Sequence, residues 1–301
     1  MENIALLFVC LAIGMALGKF SRVPDNAHTT LNAFIINVAL PALIFQQIHN
    51  LKLDSAMVFA VLMPWLLFAA SAALFWAIGR QLDLPPATTG ALAVVGGLGN
   101  TSFIGLPMIE SFYGASGMPT GILIDQLGTY LVLSTVGIVL ISCYAEGAVT
   151  RADIAKRILT FPPLIALVLA VALIPVTYPP LLTSVLSRLG GTVAPLALVS
   201  VGLQLRLGEL SGNLGLLAMG LGYKLVLAPL MILALYAGMI GLRGPTTEVT
   251  MFEAAMPPML GGSIVAIQYG LNPNLISLMV GVGTVAAFLT LPAWTRAFAF
   301  F

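Results

Sequence analysis

The chain has 301 residues, of which 59% are hydrophobic and only 8% are charged, and its formal net charge is +1. Soluble domains carry about 25% charged residues, so the composition excludes a water-soluble protein and predicts an integral membrane protein. The balanced charge provides no basic surface for nucleic acid, and two cysteines are too few for a disulfide framework or a metal site.

The first apolar segment, residues 4–20, follows an acidic residue, Glu2, and precedes two basic residues, Lys19 and Arg22. A cleavable signal peptide carries positive charge before its apolar run. This segment is therefore predicted to be retained as a first membrane span, with the N-terminus outside the cell.

Ten apolar segments are long enough to cross a bilayer as helices, for which about 20 residues are needed. These segments, called spans 1 to 10, lie at residues 4–20, 31–49, 56–79, 87–112, 118–144, 161–177, 181–205, 213–241, 246–269 and 274–298. The sequence thus predicts an all-α membrane protein with about ten transmembrane helices.

Short similarities suggest that the chain repeats itself. The stretch "VALPAL" around Pro41 resembles "TVAPLAL" around Pro195, and "ESFYG" with Tyr113 resembles "AIQYG" with Tyr269. The two pairs are 154 and 156 residues apart (41 to 195 and 113 to 269). Similar separations at two places predict an internal duplication.

The duplication divides the chain near its longest polar link. Each half holds five spans, and because five is odd, the second half enters the membrane from the opposite side. We therefore predict a first inverted repeat at 1–144 (spans 1–5), a cytoplasmic link at 145–160, and a second repeat at 161–301 (spans 6–10).

Lysine and arginine residues predict the orientation, because cytoplasmic loops carry more of them. With the N-terminus outside, the inner loops hold Lys19, Arg22, Arg80, Arg151, Lys156, Arg157 and Arg206, and the outer side holds Lys52, Arg188, Arg243 and Arg296. This majority predicts a multi-pass protein of the cell (inner) membrane, with both termini outside and the central link in the cytoplasm.

Span 4 contains "GGLGNTSFIGLP" at 96–107, which is poor material for a continuous helix. We expect Gly99, Gly105 and Pro107 to interrupt it. Non-helical backbone at membrane depth is tolerated only where it is buried in protein or lines a wet cavity. Three polar residues here are candidates for substrate binding: Asn100, Thr101 and Ser102.

Span 9 contains a counterpart, "EAAMPPMLGGS" at 253–263. Its expected helix-breaking residues are Pro257, Pro258, Gly261 and Gly262. At a separation of 156 residues Asn100 corresponds to Met256, so Met256, Pro257 and Pro258 are further candidates for substrate binding. Matched interruptions in two halves point to the binding site of a transporter; the alternative is a pair of kinked structural helices.

Three ionisable residues lie within spans, where such residues are costly and usually functional. Asp125 in span 5 has Gln126 beside it and Thr129 one turn further along the same face. Together with Glu253 in span 9, these residues are candidates for binding a coupling ion, H+ or Na+. Alternatively, Lys224 in span 8 pairs with one carboxylate and only neutralises it.

Four stretches resemble the auxin efflux carrier family: "NVALPALIF", "GNTSFIGLPMIESFYG", "DQLGTYL" and "EAAMPPMLGGSIVAIQYGLNP". The family includes plant PIN-type auxin exporters and bacterial permeases often assigned to malate or malonate. The similarity covers essentially the whole chain, and the short central link is typical of the bacterial members.

The resemblance implies a fold like that of bile acid/sodium symporters, with two five-helix inverted repeats. Spans 1, 2, 6 and 7 would form a scaffold that holds a homodimer together, and spans 3–5 and 8–10 would form a mobile transport domain. Spans 4 and 9 would cross at their interruptions, and the transport domain would move like an elevator.

The resemblance also implies roles for individual residues. Asn100 matches the substrate-contacting asparagine of the family, whereas Met256 and Pro257 stand where a second polar residue is expected. Glu253 is placed like the acidic residue that helps to bind Na+ in sodium-coupled relatives.

These observations predict a secondary active transporter of a small organic anion, such as an auxin-like acid, malate or malonate. We expect no cofactor besides a coupling H+ or Na+, and no enzymatic activity, since the sequence has no catalytic triad, zinc motif or paired catalytic carboxylates. The alternatives are a sodium-coupled symporter of the bile-acid or steroid type and a passive channel, although no ring-forming filter sequence is present.

Overall fold

The computed structural model of the chain describes residues 2–20, 22–24, 26–48, 56–144, 150, 152, 155, 156, 159–204 and 213–298. The main helices are numbered in chain order. They are α1 (Glu2–Lys19), α2 (27–48), α3 (Ala56–Gln81), α4 (Pro86–Gly97), α5 (101–113), α6 (Met118–Tyr144), α7 (Pro162–Ala172), α8 (Pro180–Gly190), α9 (Val193–Gln204), α10 (Leu214–Ile240), α11 (Pro245–Ala254), α12 (Leu260–Gln268) and α13 (Pro273–Phe298).

Five helices of the described part of the chain are long and apolar enough to cross a membrane, namely α2, α3, α6, α10 and α13. Two further apolar helices are shorter, α7 and the Val9–Lys19 part of α1. The prediction of an all-helical, multi-pass membrane protein is confirmed.

Three predicted spans each consist of two helices. Spans 4 and 9 divide into α4 and α5 and into α11 and α12, where interruptions were expected. Span 7, predicted as one helix, also divides, into α8 and α9. At this division the hydroxyl of Thr192 donates a 2.6 Å hydrogen bond to the carbonyl of Leu189 at the end of α8, and Pro195 lies in the first turn of α9.

Prolines begin many of the helices. Pro86, Pro162, Pro180, Pro245 and Pro273 are the first residues of α4, α7, α8, α11 and α13. Proline is favoured there because its fixed φ suits a helix and its missing N–H has no helical partner in the first turn. The short proline-containing connections therefore set where neighbouring helices start.

Four of the residues expected to interrupt the spans lie within helices. Gly105 and Pro107 lie inside α5, where a wider π-helical turn at Thr101–Gly105 leads into Leu106. Such local turns let membrane helices accommodate proline by finding partners for the freed backbone groups. Gly261 and Gly262 lie in the first turn of α12.

The sequence match between "ESFYG" and "AIQYG" extends to backbone conformation. Gly114 ends α5 with φ of 68°, and Gly270 follows α12 with φ of 79°. This left-handed region favours glycine, which is common just after the end of a helix. Matching helix ends at matching sequence positions are what a duplicated chain would show.

Helices from the first and second halves of the chain pack closely. α1 lies along α9, with Gly14 facing Gly202, and a Cβ on Gly14 would stand 2.2 Å from the carbonyl oxygen of Val199. Such small residues let membrane helices approach at backbone distance. A second pair of helices from the two halves, α7 and α2, also packs together.

Parts of the predicted topology lie outside the described residues. They are most of the link at 145–160, including Arg151 and Arg157, and the loop residues Lys52 and Arg206. The orientation, which depends on these basic residues, stays a prediction.

Candidate substrate and ion site at the helix crossing

The interruptions between α4 and α5 (98–100) and between α11 and α12 (255–259) meet inside the protein, and we call this place the crossing. The Asn100 N–H donates to the carbonyl of Pro257 at 2.7 Å, and the Met259 N–H donates to the carbonyl of Leu98 at 2.9 Å. Gly99 and Pro258 face each other in this short antiparallel pairing. Each interruption thus supplies partners for backbone groups that the other leaves free.

This pairing explains why proline is tolerated in the middle of the fold. The two hydrogen bonds flank Gly99 and Pro258, so neither residue donates across the pair. The missing N–H of Pro258 therefore leaves no gap in the pairing. The sequence alignment matched Asn100 with Met256, whereas the backbone contact of Asn100 is with Pro257.

Asn100 stands at the N-terminus of α5 and is 1% exposed. Its side-chain oxygen accepts a hydrogen bond from the Phe103 N–H at 3.1 Å, which caps the helix. Its side-chain nitrogen has no hydrogen-bond partner among the described residues. Free amide donors at a positive helix end form a place where an anionic group can bind.

Asp125 of α6 is fully buried and rich in hydrogen bonds. The hydroxyl of Thr101 donates to one carboxylate oxygen at 2.6 Å, and the amide of Gln126 donates to the other at 2.7 Å. Ser102 lies beside the same carboxylate. Thr101 and Ser102 therefore connect the start of α5 to α6.

Glu253, near the end of α11, is 1% exposed, and neither carboxylate oxygen has a hydrogen-bond partner among the described residues. The carboxylate lies directly over Gly105: a Cβ built there would stand 2.5 and 2.7 Å from its two oxygens. Gly121 of α6 is the neighbour on another side. The two glycines thus make the room that the carboxylate occupies.

Lys224 of α10 is buried completely. Its Nζ donates to the carbonyl of Ala254 at 3.1 Å, at the negative C-terminal end of α11. It also lies against Gly99 of the crossing. Glu253 is near enough to both Lys224 and Asp125 for their charges to act on it.

A small cavity of about 10 Å³, the crossing cavity, joins these groups. Its polar lining comes from Thr101, Thr129, Lys224 and Glu253. The Thr129 hydroxyl has no hydrogen-bond partner in the described part of the chain. The volume is close to the space that one water molecule needs.

The structure therefore brings together most of the residues singled out from the sequence. Those that meet around the crossing are Asn100, Thr101, Ser102, Asp125, Gln126, Thr129, Lys224 and Glu253. Met256, Pro257 and Pro258 belong to the interruption and contribute mainly backbone. Gly261, Gly262 and Pro107 lie in the adjoining helices.

A family model described as "Membrane transport protein" matches residues 1–295. The chain belongs to this family. The resemblance to auxin efflux carriers is thereby confirmed at the level of the family, and the protein is a transporter, not an enzyme.

Two relatives of the transporter cover nearly its full length. An uncharacterized transporter of Methanothermobacter thermautotrophicus is 29% identical over 299 residues, 98% of this chain and 97% of that protein. An uncharacterized transporter of Methanocaldococcus jannaschii is 23% identical over 306 residues, again 98% of this chain and 97% of that protein.

The transporter has a larger cavity that the sequence did not identify, which we call the vestibule. It holds about 200 Å³. Its lining comes from α2, α5, α6 and the α8–α9 junction: Leu43, Gln46, Leu106, Pro107, Glu110, Met118, Ser187, Gly190, Gly191 and Val193. Because four separate parts of the chain contribute, no local motif marks it. The only sequence feature that could have indicated this cavity is the presence of Pro107, Gly190 and Gly191 in its lining.

Proposed function

We propose that the chain is a secondary active transporter of a small organic anion, such as an auxin-like acid, malate or malonate. One observation carries this proposal. Asn100 has a buried side-chain nitrogen at the positive end of α5, at the crossing of two interrupted helices, and this nitrogen has no hydrogen-bond partner among the residues that the structure describes. Such a group suits a carboxylate, which needs hydrogen-bond donors and favourable charge.

The substrate proposal favours a small solute. The vestibule, at about 200 Å³, lies below the range of about 300–1,000 Å³ found for pockets of drug-sized ligands. A malate-sized anion suits this space better than a steroid. The sodium-coupled symporter of the bile-acid type is therefore the less favoured alternative.

The proposed movement is alternating access by an elevator-like displacement. The vestibule separates α2, α8 and α9 from α5 and α6. This separation supports a scaffold of α1, α2 and α7–α9, against which a transport domain of α3–α6 and α10–α13 moves. The ten proposed spans would then comprise these helices, with α4–α5, α8–α9 and α11–α12 each counted as one span.

The proposed inverted repeats, 1–144 and 161–301, account for the packing of the scaffold. In each case the first span of one half packs on the second span of the other: α1 on α9, and α7 on α2. The matching glycine conformations at Gly114 and Gly270 add further support.

The proposed coupling site consists of Glu253 and Asp125, with Gln126 and Thr129 beside them. The site contains two buried carboxylates and one buried ammonium group, Lys224, so one further positive charge would balance it. That charge would be H+ or Na+, and its binding would link the ion gradient to the movement of the substrate.

The proposed assembly is a homodimer in the cell membrane, formed through the scaffold and with both termini outside. Apolar side chains of α7 are exposed on the isolated chain, among them Ile165, Val168 and Val171. In a membrane such a surface contacts lipid or a second copy.

Counterflow in proteoliposomes tests the proposal. Purified protein is reconstituted with unlabelled carboxylate inside, and uptake of labelled carboxylate is followed. We expect saturable counterflow for the wild type, at least a tenfold loss for Asn100→Ala, and an altered response to an imposed ion gradient for Glu253→Gln. Full transport by both variants would contradict the site, and flux without saturation would favour the passive channel.

A further inference from the structure

The resemblance to sodium-coupled carriers implies a Na+ site beside Glu253, but the residues present do not fit one. Hard cations are bound by several oxygen atoms from carboxylates, carbonyls or water. The Glu253 carboxylate lies against Gly105 and Gly121, and the space around Gly121 is filled by the hydrocarbon side chains of Leu106 and Ile109. These neighbours offer carbon atoms instead of oxygen ligands.

The crossing cavity does contain oxygen atoms, from Thr101 and Thr129, but it also contains the ammonium group of Lys224. At about 10 Å³ it has room for about one water molecule. A Na+ ion there would share a small, buried space with a like charge, which the low dielectric of a protein interior disfavours strongly.

The crossing already holds one positive charge of the protein itself. The Asp125 carboxylate accepts hydrogen bonds from Thr101 and Gln126. Lys224 and Glu253 line the same small cavity, and the Lys224 Nζ donates a hydrogen bond to the carbonyl of Ala254 at the C-terminal end of α11. A cation is favoured at that end of a helix.

We propose that the ammonium group of Lys224 takes the place of a coupling Na+ ion at the crossing. This inference rests on the proposed transport function and narrows it: the carrier moves its anion without Na+, and Glu253 is balanced by a cation that is part of the chain. The fixed charge also lies against Gly99, next to Asn100, and so adds to the attraction for an anionic substrate.

The first experiment uses the wild type. Thermal unfolding and counterflow of a small dicarboxylate are measured in NaCl, KCl and choline chloride at equal ionic strength. We expect the same unfolding temperature and counterflow rates within twofold in all three salts. A specific rise in unfolding temperature in NaCl, or transport that Na+ accelerates more than about fivefold, overturns the proposal.

The second experiment removes the built-in cation. Lys224→Met keeps the length of the side chain and removes the like charge from the cavity that Thr101, Thr129 and Glu253 line, so this variant should acquire a Na+ site among those oxygen atoms. We expect NaCl to raise its unfolding temperature by about 2–4 °C relative to choline chloride. Lys224→Arg keeps the charge and should stay insensitive to Na+.

A double variant tests whether the Na+ sensitivity acquired by Lys224→Met depends on Glu253. Lys224→Met with Glu253→Gln removes both charges, and its response to Na+ should disappear. A Lys224→Met variant that transports like the wild type and ignores Na+ contradicts the proposal. Should Lys224→Met not yield folded protein, the wild-type salt comparison decides alone.

Failure of the transport proposal is separable from failure of this inference. Absence of counterflow with every carboxylate tested, together with unfolding temperatures that ignore Na+, refutes the proposed function and leaves the assignment of Lys224 standing. Sodium-driven counterflow supports the proposed transport function and refutes the assignment of Lys224.

Discussion

The backbone N–H of Asn100 is hydrogen-bonded to the carbonyl of Pro257 at 2.7 Å, which fastens two interruptions of the chain to each other. This backbone bond connects Asn100 to the α11–α12 interruption, while the side-chain oxygen of Asn100 caps α5 by accepting a hydrogen bond from the Phe103 N–H. A displacement of α4–α5 must therefore carry α11–α12 with it. This connection suits a site that moves as one rigid unit.

The two functions of the Asn100 side chain can be separated by substitution. Asn100→Asp keeps an oxygen that caps α5 but replaces the free amide donors by a carboxylate, which repels an anionic substrate. We expect a folded protein with counterflow reduced at least tenfold. Asn100→Ala should in addition lose about 1 kcal/mol of stability with the cap. Wild-type counterflow by Asn100→Asp would show that the amide does not contact substrate.

Thr101 and Thr129 provide a matched pair of hydroxyl groups near Asp125. Thr101→Val removes a hydrogen bond to a buried carboxylate and should cost about 1.5–3 kcal/mol. Thr129→Val removes a hydroxyl that has no partner in the described part of the chain, so its stability should be unchanged or slightly higher.

Thermal or denaturant unfolding in detergent compares the two variants. Combining Thr101→Val with Asp125→Ala, which removes the accepting oxygen, should show coupling, because the two side chains share one hydrogen bond. Additive effects in that cycle would contradict the contact.

Gly105 is predicted to be essential for transport because it leaves room for the Glu253 carboxylate, not because it bends the helix. A Cβ at Gly105 would stand 2.5 Å from one carboxylate oxygen, so Gly105→Ala must displace Glu253. Because the displaced atoms are the flexible end of a side chain, the cost in stability should be near the low end of overpacking, about 1 kcal/mol, and the main effect should be on the position of the carboxylate. The control is Gly215→Ala in α10, where no atom of the described residues lies within 4 Å of the added carbon.

The comparison of these two variants uses both unfolding and counterflow. Gly105→Ala should lose transport and only a little stability, while Gly215→Ala keeps both. Equal behaviour of the two glycine variants would mean that Glu253 tolerates displacement.

The sequence was sufficient to locate the crossing because its signal is compositional. Glycine and proline within an apolar span are informative wherever they occur, and the pairs around Tyr113 and Tyr269 gave the separation that connects the two halves. Buried Asp125, Glu253 and Lys224 were found by the same logic, since charge in an apolar span is rare.

Composition along the chain could not show what each glycine does in the fold. Gly99 lies in an interruption, whereas Gly105 makes room for a carboxylate whose position depends on α11, far along the chain. A pattern read along one helix contains no information about what a second helix places against it. The vestibule was missed for the same reason, since four parts of the chain form it.

The contact between α1 and α9 should depend on Gly14 more than on Gly18. Gly14→Ala would place a Cβ 2.2 Å from the carbonyl oxygen of Val199, whereas Gly18→Ala would place one 3.4 Å from that of Leu203. We expect Gly14→Ala to cost about 1–3 kcal/mol and Gly18→Ala to be tolerated. Equal unfolding temperatures for the two variants would contradict the close approach.

The vestibule should be accessible from one side of the membrane only. Ser187 lines it and is exposed, whereas Ser200, further along the same predicted span, is completely buried. In a background where the exposed Cys143 is replaced by serine, we expect a membrane-impermeant thiol reagent to modify Ser187→Cys in intact cells and to leave Ser200→Cys unmodified. Labelling from outside follows from the orientation predicted by the basic loops, with the α8 start facing out.

The same labelling measures occupancy of the vestibule. A small carboxylate that passes through it should slow the modification of Ser187→Cys in proportion to its saturation of counterflow, because solute and reagent compete for about 200 Å³ of space. Modification only in inverted vesicles would reverse the predicted orientation while keeping the vestibule. Modification that substrate does not slow would place the anion path elsewhere, since a solute on its way to Asn100 would then leave Ser187 uncovered.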